Sequence, residues 1–181
     1  MALTATIYVF TVRLSHVDRG IYETLELRLA RHPSESPEYL VTRLLAYCLE
    51  FTEGIAFSKG GLSEPDEPAI MVRDLTGALQ GWIEIGMPDA ARLHKAAKAA
   101  KYVAVYPTRD VTTWLARLAG ERIHRAEQIA VQVIDAALLA QLAAKLERRM
   151  DFDLSVSEGT LYLSMGEATL TGAVERVALA G

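Results

Sequence analysis

Apolar and polar positions alternate over Leu3–Leu14 and again over Tyr22–Leu29. That period of two predicts two strands, each with one face buried. His16–Gly20 lies between them and carries Asp18-Arg19-Gly20, so a hairpin with Gly20 at its bend is expected. Arg31–Pro37 holds two prolines and reads as a loop. From Pro37 to Glu50 the period becomes helical, with Leu40, Leu44, Cys48 and Phe51 as the apolar stripe and Arg43, Tyr47 and Glu50 along one flank. Ile55–Phe57 is a short strand. Ser58–Ser63 contains Gly60-Gly61 and reads as a loop.

The stretch from Glu64 to Pro107 is expected to organise the rest. Ala69–Asp74 and Ala78–Gly86 are apolar runs joined through Thr76-Gly77, a hairpin turn signal. With that turn at the centre, Glu84 lies opposite Ala69, just after Asp66-Glu67-Pro68. Trp82, Glu84 and Gly86 share one face of the strand, and Ile83 and Ile85 share the other. Asp74 sits at the turn end, roughly 16 Å from Glu84 along the strand, and is left out of any site. Pro88 fits a first helical turn. The helix over 89–101 gathers Leu93, Ala96, Ala97 and Ala100 on one face and spreads Arg92, Lys95, Lys98 and Lys101 over the other half. Tyr102–Tyr106 is a short strand stopped by Pro107.

Beyond Pro107, Thr108 or Asp110 caps a helix with Val111, Trp114, Leu115 and Leu118, ended by Gly120. Ile129–Ile134 reads as a strand. Asp135 caps a helix bearing Leu138, Leu139, Leu142 and Leu146. Met150–Ser157, Thr160–Ser164 and Ala168–Val177 read as strands, the first two joined through Glu158-Gly159. Strands and helices in this order predict an α/β fold with mixed α+β character. The strands at both ends are expected to form an auxiliary sheet beside the central unit.

Composition narrows the class. The chain has 181 residues, 51% hydrophobic and 23% charged, an ordinary globular balance for a single domain over 1–181. A net charge of −4 argues against a general nucleic-acid coat, which needs a basic footprint, and leaves room for a local basic groove. One cysteine, Cys48, excludes an intramolecular disulfide and fits a reducing compartment. The sequence holds no apolar run long enough to span a bilayer and no signal-peptide pattern at its start, so a cytoplasmic protein is expected.

The chemistry-bearing residues cluster around the hairpin. Glu84 stands between two isoleucines, an unusual place for an acid that lacks a partner. Carboxylates from Glu84 and from Asp66 or Glu67 can hold Mg²⁺ or Mn²⁺ through oxygen, with Lys95 leaning in from the helix. Each has a structural alternative. Glu84 can be a buried acid satisfied by an arginine such as Arg43. Asp66 and Glu67 can be a turn before Pro68. Lys95, together with Arg92, Lys98 and Lys101, can be a solvated face, and Glu50 either a further ligand or a surface acid. Ser58-Lys59-Gly60-Gly61 can cradle a phosphate with backbone N–H groups but lacks the Walker spacing. The four histidines are scattered, and zinc, serine-hydrolase and dinucleotide motifs are absent.

RHPSE at 31–35, GLSEPDEP at 61–68 and WIEIGMPDAARLHKA at 82–96 resemble the YaeQ family of small bacterial proteins. That resemblance runs over nearly the whole chain. It implies a restriction-endonuclease-like core, a variant PD-(D/E)xK fold made of a mixed sheet with flanking helices, plus extra N- and C-terminal strands. In that superfamily an Asp opens one strand, a Glu-x-Lys ends the next, and a metal binds between the acids. This sequence has Ala69 where the Asp is expected and Gly86 where the Lys is expected. Asp66 or Glu67 would then supply the missing acid, and Lys95 the missing cation.

Two functions follow as expectations. One is a divalent-metal-dependent nuclease in which Glu84 and Asp66 or Glu67 hold the metal, Lys95 orients the attacking water, and the 92–101 cations meet phosphates. The other is a non-catalytic protein with the same fold that binds nucleic acid or a protein partner.

Overall fold

The computed structural model describes residues 4–59 and 66–179. The Gly60-Gly61 loop and the first part of the GLSEPDEP stretch lie outside the described residues. In chain order the elements are β1 (Thr6–His16), β2 (Ile21–Arg31), α1 (Pro37–Leu49), β3 (Ile55–Phe57), β4 (Ile70–Arg73), β5 (Leu79–Ile85), α2 (Ala90–Ala99), β6 (Tyr102–Tyr106), α3 (Val111–Leu118), β7 (Ala130–Ile134), α4 (Ala136–Ala144), β8 (Arg149–Ser157), β9 (Thr160–Met165) and β10 (Ala168–Val177). The chain divides into two compact units, Met1–Leu49 with Ile134–Glu175, and Glu50–Val133 with Arg176–Gly181.

The first unit has strand order β2-β1-β8-β9-β10. β1 and β2 form the expected hairpin, with Val9 opposite Arg28 and His16 opposite Ile21. Gly20 makes the bend at φ +67°, a conformation that glycine adopts without a Cβ penalty. β1 also pairs in parallel with β8. β8 turns into β9 through Glu158 and Gly159, both at positive φ, and Asp18 accepts both backbone N–H groups of that turn, at 2.7 and 3.1 Å. Alternate residues of these strands, among them Phe10, Val12, Leu25, Leu27, Phe152 and Leu154, point into the core. α1 packs on β2 and α4.

α1 carries more than the predicted stripe. Every residue from Leu40 to Ala46 is buried, so the helix has no fully polar face. Two polar residues there reach hydrogen-bond partners. Thr42 Oγ1 donates to the Glu38 carbonyl at 2.7 Å, and Arg43 reaches Glu35 and the Ala30 carbonyl. Cys48 is fully buried, and burial pushes its thiol up to about 12, so it stays a protonated core residue.

The second unit has strand order β7-β6-β5-β4-β3. β4 and β5 form the predicted hairpin in the predicted register, Ile70 opposite Ile83 and Met71 opposite Trp82. Asp74 makes the turn. Its carboxylate accepts from the N–H groups of Thr76 and Ala78 at 2.9 and 3.0 Å, and Gly77 takes φ +87°. The Thr76 hydroxyl and these amides hold the Asp74 carboxyl below its usual range. β5, α2 and β6 make a parallel crossover, and α3 leads on to β7, also parallel to β6. α2 is capped by Asp89, which accepts from the Arg92 N–H at 2.8 Å; Pro88 therefore precedes the cap instead of opening the helix. Leu93, Ala96 and Ala97 settle on Trp82, Val103 and Val105. The alanines let a helix that carries little apolar bulk approach the sheet closely.

The α/β class holds, and the restriction-endonuclease-like arrangement does not. That reading made the chain-end strands auxiliary to an open mixed core sheet flanked by helices 37–50 and 89–101. Instead strands β1, β2 and β8–β10 build a five-stranded unit with its own core. α1 belongs to that unit and not to the β4–β5 hairpin. The physical reason is in the end strands themselves. Their inward faces are as apolar as those of β4 and β5, so they bury a core of their own and enclose α1.

His16, at the end of β1, is 6% exposed, and its Nδ1 has no hydrogen-bond partner among the described residues. Desolvation, and next the nearby Arg19, lower its pKa below the ordinary 6.5. The unfolded chain therefore binds a proton that the folded chain resists. Stability is full above 6.5 and falls as pH drops from there toward the folded value, by at most about 1.4 kcal/mol per pH unit for one group. The carboxylates with lowered values, such as Asp18 and Asp74, enter only in the range of 3.8 and below. Urea unfolding of wild type and His16→Gln between pH 7.5 and 5 checks this: the wild-type loss should be steeper, and parallel curves would refute it.

Candidate functional site

Glu84 is the centre of the predicted site, and the structure buries it. Its side chain is 8% exposed, on the face of β5 that α2 covers. Trp82, two residues earlier on the same face, donates its indole N–H to Glu84 Oε1 at 2.7 Å. Arg92 Nη2 lies 2.8 Å from the same oxygen. The Arg92 guanidinium also stands 5.5 Å from the centre of the Trp82 ring, in cation–π range. Its Nη2 donates to the Glu67 carbonyl at 2.8 Å as well. One arginine thus ties β5, α2 and the segment before β4 together.

Sequence reasoning offered Arg43 as a structural partner for Glu84 and put Arg92 on a solvated face. Both are corrected. Arg43 pairs with Glu35 in the first unit, and Arg92 is the cation on Glu84. Helical side chains lean toward the N-terminus, which brings Arg92 within reach of the strand ends, but no pattern in the sequence sets it apart from Lys95.

The other candidates are close by but engaged. Lys95 Nζ pairs with Asp66, and this bond, aided by the charges of Lys95 and then Arg92, holds the Asp66 carboxyl below its usual range. Both partners are largely exposed, so the pair adds little to stability. Glu67 Oε2 accepts from Ser58 Oγ at 2.8 Å. Glu50 accepts from the hydroxyls of Tyr106 at 2.7 Å and Tyr102 at 3.1 Å. These tyrosines share a strand face with Ile83 and Ile85 and not with Glu84, by the β5–β6 register.

The donor set does not suit a divalent ion. Each acid already has a protein donor: Glu84 an arginine and an indole, Asp66 a lysine, Glu67 a serine. A guanidinium at 2.8 Å neutralises the charge that would attract Mg²⁺ or Mn²⁺. Among the described residues no group of three His, Cys, Asp or Glu side chains is arranged to hold a metal ion. The nuclease and PD-(D/E)xK descriptions are therefore corrected on two grounds, the five-stranded unit that the end strands build and the lack of a metal cluster among the described residues.

Lys98 and Lys101 are exposed along α2 and just after it, and α2 itself carries no acid. The overall −4 is unevenly shared. The second unit has eleven Lys and Arg against eleven Asp and Glu, and the first has eight against twelve. Among the described residues no helix is long and apolar enough to cross a membrane.

Comparison with known proteins agrees with the sequence resemblance. The family model described as "YaeQ protein" matches residues 1–174, running through both units. The "Uncharacterized protein YaeQ" of Escherichia coli K12 is 35% identical over 166 residues, 91% of each chain. Its counterpart in Salmonella typhi is 36% identical over the same span. Among solved structures, the YaeQ protein from Xanthomonas axonopodis pv. citri superposes with a TM-score of 0.87 at 32% identity, covering 96% of this chain and 98% of that one. The YaeQ protein from Pseudomonas syringae gives 0.85 at 29% identity, covering 96% of each.

Proposed function

The chain belongs to the YaeQ family, and from that premise we propose that it is a non-catalytic nucleic-acid-binding protein whose α2 cations meet the phosphate backbone. The observation that carries this reading is the state of Glu84, whose carboxylate is engaged by Arg92 and Trp82. An acid closed off in this way holds the strand, the helix and the 66–67 segment in place. It does not serve hydrolysis.

With Glu84 buried and paired and Asp66 held by Lys95 at the surface, α2, which carries no acid of its own, presents cations outward. Lys98 and Lys101 are spaced three residues apart, and Lys95 extends the same row toward Asp66. Such a row gives a sequence-independent, salt-sensitive contact with phosphates. The second unit, which carries α2, is charge-balanced, so the net −4 is contributed by the other unit. The lone cysteine, buried and free, fits a cytoplasmic location.

The test is fluorescence anisotropy with short DNA and RNA, single- and double-stranded, between 50 and 200 mM salt. Two or three phosphate contacts give a log–log salt slope of about −2 to −3. Lys98→Glu/Lys101→Glu should weaken binding at least tenfold and flatten that slope. Added Mn²⁺ should weaken binding as any competing cation does and leave the probe uncut, and Glu84→Gln should bind Mn²⁺ no differently from wild type. No binding at 50 mM salt, or equal binding by the doubly substituted protein, would overturn the proposal and leave a protein partner as the reading.

A further inference from the structure

β2 ends the strand order of its unit, and its eleven residues leave one edge without a neighbour strand among the described residues. The direction of its backbone groups can be derived. Val9 N–H donates to the Arg148 carbonyl at 2.8 Å, so the odd-numbered residues of β1 turn their N–H and C=O groups toward β8. Their partners across the hairpin are the even-numbered residues of β2, Val9 opposite Arg28 and Thr11 opposite Glu26. These pairs exchange no backbone bonds. The N–H and C=O groups of Tyr22, Thr24, Glu26, Arg28 and Ala30 therefore point away from the sheet. An independent contact agrees: the Ala30 carbonyl accepts from Arg43 Nη2 at 2.9 Å. The side chains of Tyr22, Thr24, Glu26 and Arg28 are exposed, and among the described residues no strand lies along the outer side of the stretch they span.

We propose that β2 pairs antiparallel with β2 of a second copy of this chain, about a two-fold axis at Leu27. The strand's own charge pattern selects both partner and register. About Leu27, Glu26 of each copy faces Arg28 of the other, which makes two opposite-charge pairs on the outer face. The pairing is isologous, so each contact occurs twice. Shifting the axis by one residue to Glu26 sets Glu26 against Glu26, a like-charge pair that is unfavourable. About Leu27, Thr24 also faces Ala30, whose carbonyl has a second lone pair beyond the one that Arg43 uses. An unshielded edge of this length is a template that natural proteins otherwise blunt with like charges or proline. Here the edge has no proline, and its charges are self-complementary.

The experiment is sedimentation equilibrium of the full chain from about 1 to 100 μM in 150 mM salt, with circular dichroism to confirm folding. Wild type should form a dimer within that range. Arg28→Glu, which puts Glu opposite Glu26, should weaken it at least tenfold, and so should Glu26→Arg. The double exchange Glu26→Arg/Arg28→Glu restores opposite charges in the same register and should restore the dimer. Thr24→Pro, which removes an outward N–H that has no partner in the monomer, should also abolish it while the protein stays folded. A monomer throughout, a dimer indifferent to Arg28→Glu, or a double exchange that fails to rescue would each overturn the proposal.

Discussion

Arg92→Ala should destabilise the protein by about 3 kcal/mol, among the largest effects available to a side chain that is partly at the surface. Removing one partner of a buried ion pair typically costs about 3–5 kcal/mol, because the other charge stays buried and uncompensated. Glu84 is 8% exposed and Arg92 26%, so solvent reaches the arginine and the lower end applies. Alanine also removes the bond to the Glu67 carbonyl and the contact with Trp82. Urea unfolding is the measurement: the midpoint should fall while the m-value stays the same. Arg92→Leu with Glu84→Gln should recover part of the loss, because no charge is then left buried. A change below about 0.5 kcal/mol, the ordinary scale of a surface substitution, would mean that Glu84 does not depend on Arg92.

The same pair shows where sequence reading reaches its limit. The β4–β5 register followed from Thr76-Gly77 alone, because a tight turn fixes which residues face each other. That placed Glu84 and Trp82 on one face correctly. It could not place Arg92, because a guanidinium on a long stem reaches either solvent or a strand end from the same helical position. The choice was made by Glu84 at the end of that reach. Helix periodicity shows which side of α2 is apolar and says nothing about which cation bends inward.

The fold class was legible for a similar reason. The elements were marked by period, turn residues and caps, Asp135 among them, and of the two caps open for α3, Thr108 and Asp110, the helix uses Asp110. How strands from the two chain ends combine was not marked. β1 pairs with β8 across more than a hundred intervening residues, and no local pattern encodes that pairing. The resemblance supplied a topology in its place, and the end strands, which bury residues such as Phe10, Leu27, Phe152, Leu161 and Leu170, form a five-stranded unit instead of an appendage.

Arg43→Ala should cost about 3–5 kcal/mol, the full range, because neither partner of its ion pair reaches water. The side chains of Arg43 and Glu35 are 7% and 1% exposed, with 3.2 Å between Nη2 and Oε2. Glu35 closes the RHPSE turn: its N–H donates to the His32 carbonyl at 2.8 Å. Its other carboxylate oxygen accepts from His32 N–H at a longer 3.3 Å. Without Arg43 that acid keeps one weak donor, the Ala30 carbonyl loses its side-chain partner, and a cavity opens between α1 and the 30–35 segment. For a chain of this length each kcal/mol moves the melting temperature by roughly 2–4 °C, so a fall of about 6–20 °C is expected. Arg43→Met keeps most of the volume and still strands the acid, so it should cost nearly as much as alanine. Arg43→Met with Glu35→Gln should recover much of the loss. If Arg43→Met alone is benign, packing and not charge compensation explains why an arginine sits in this helix.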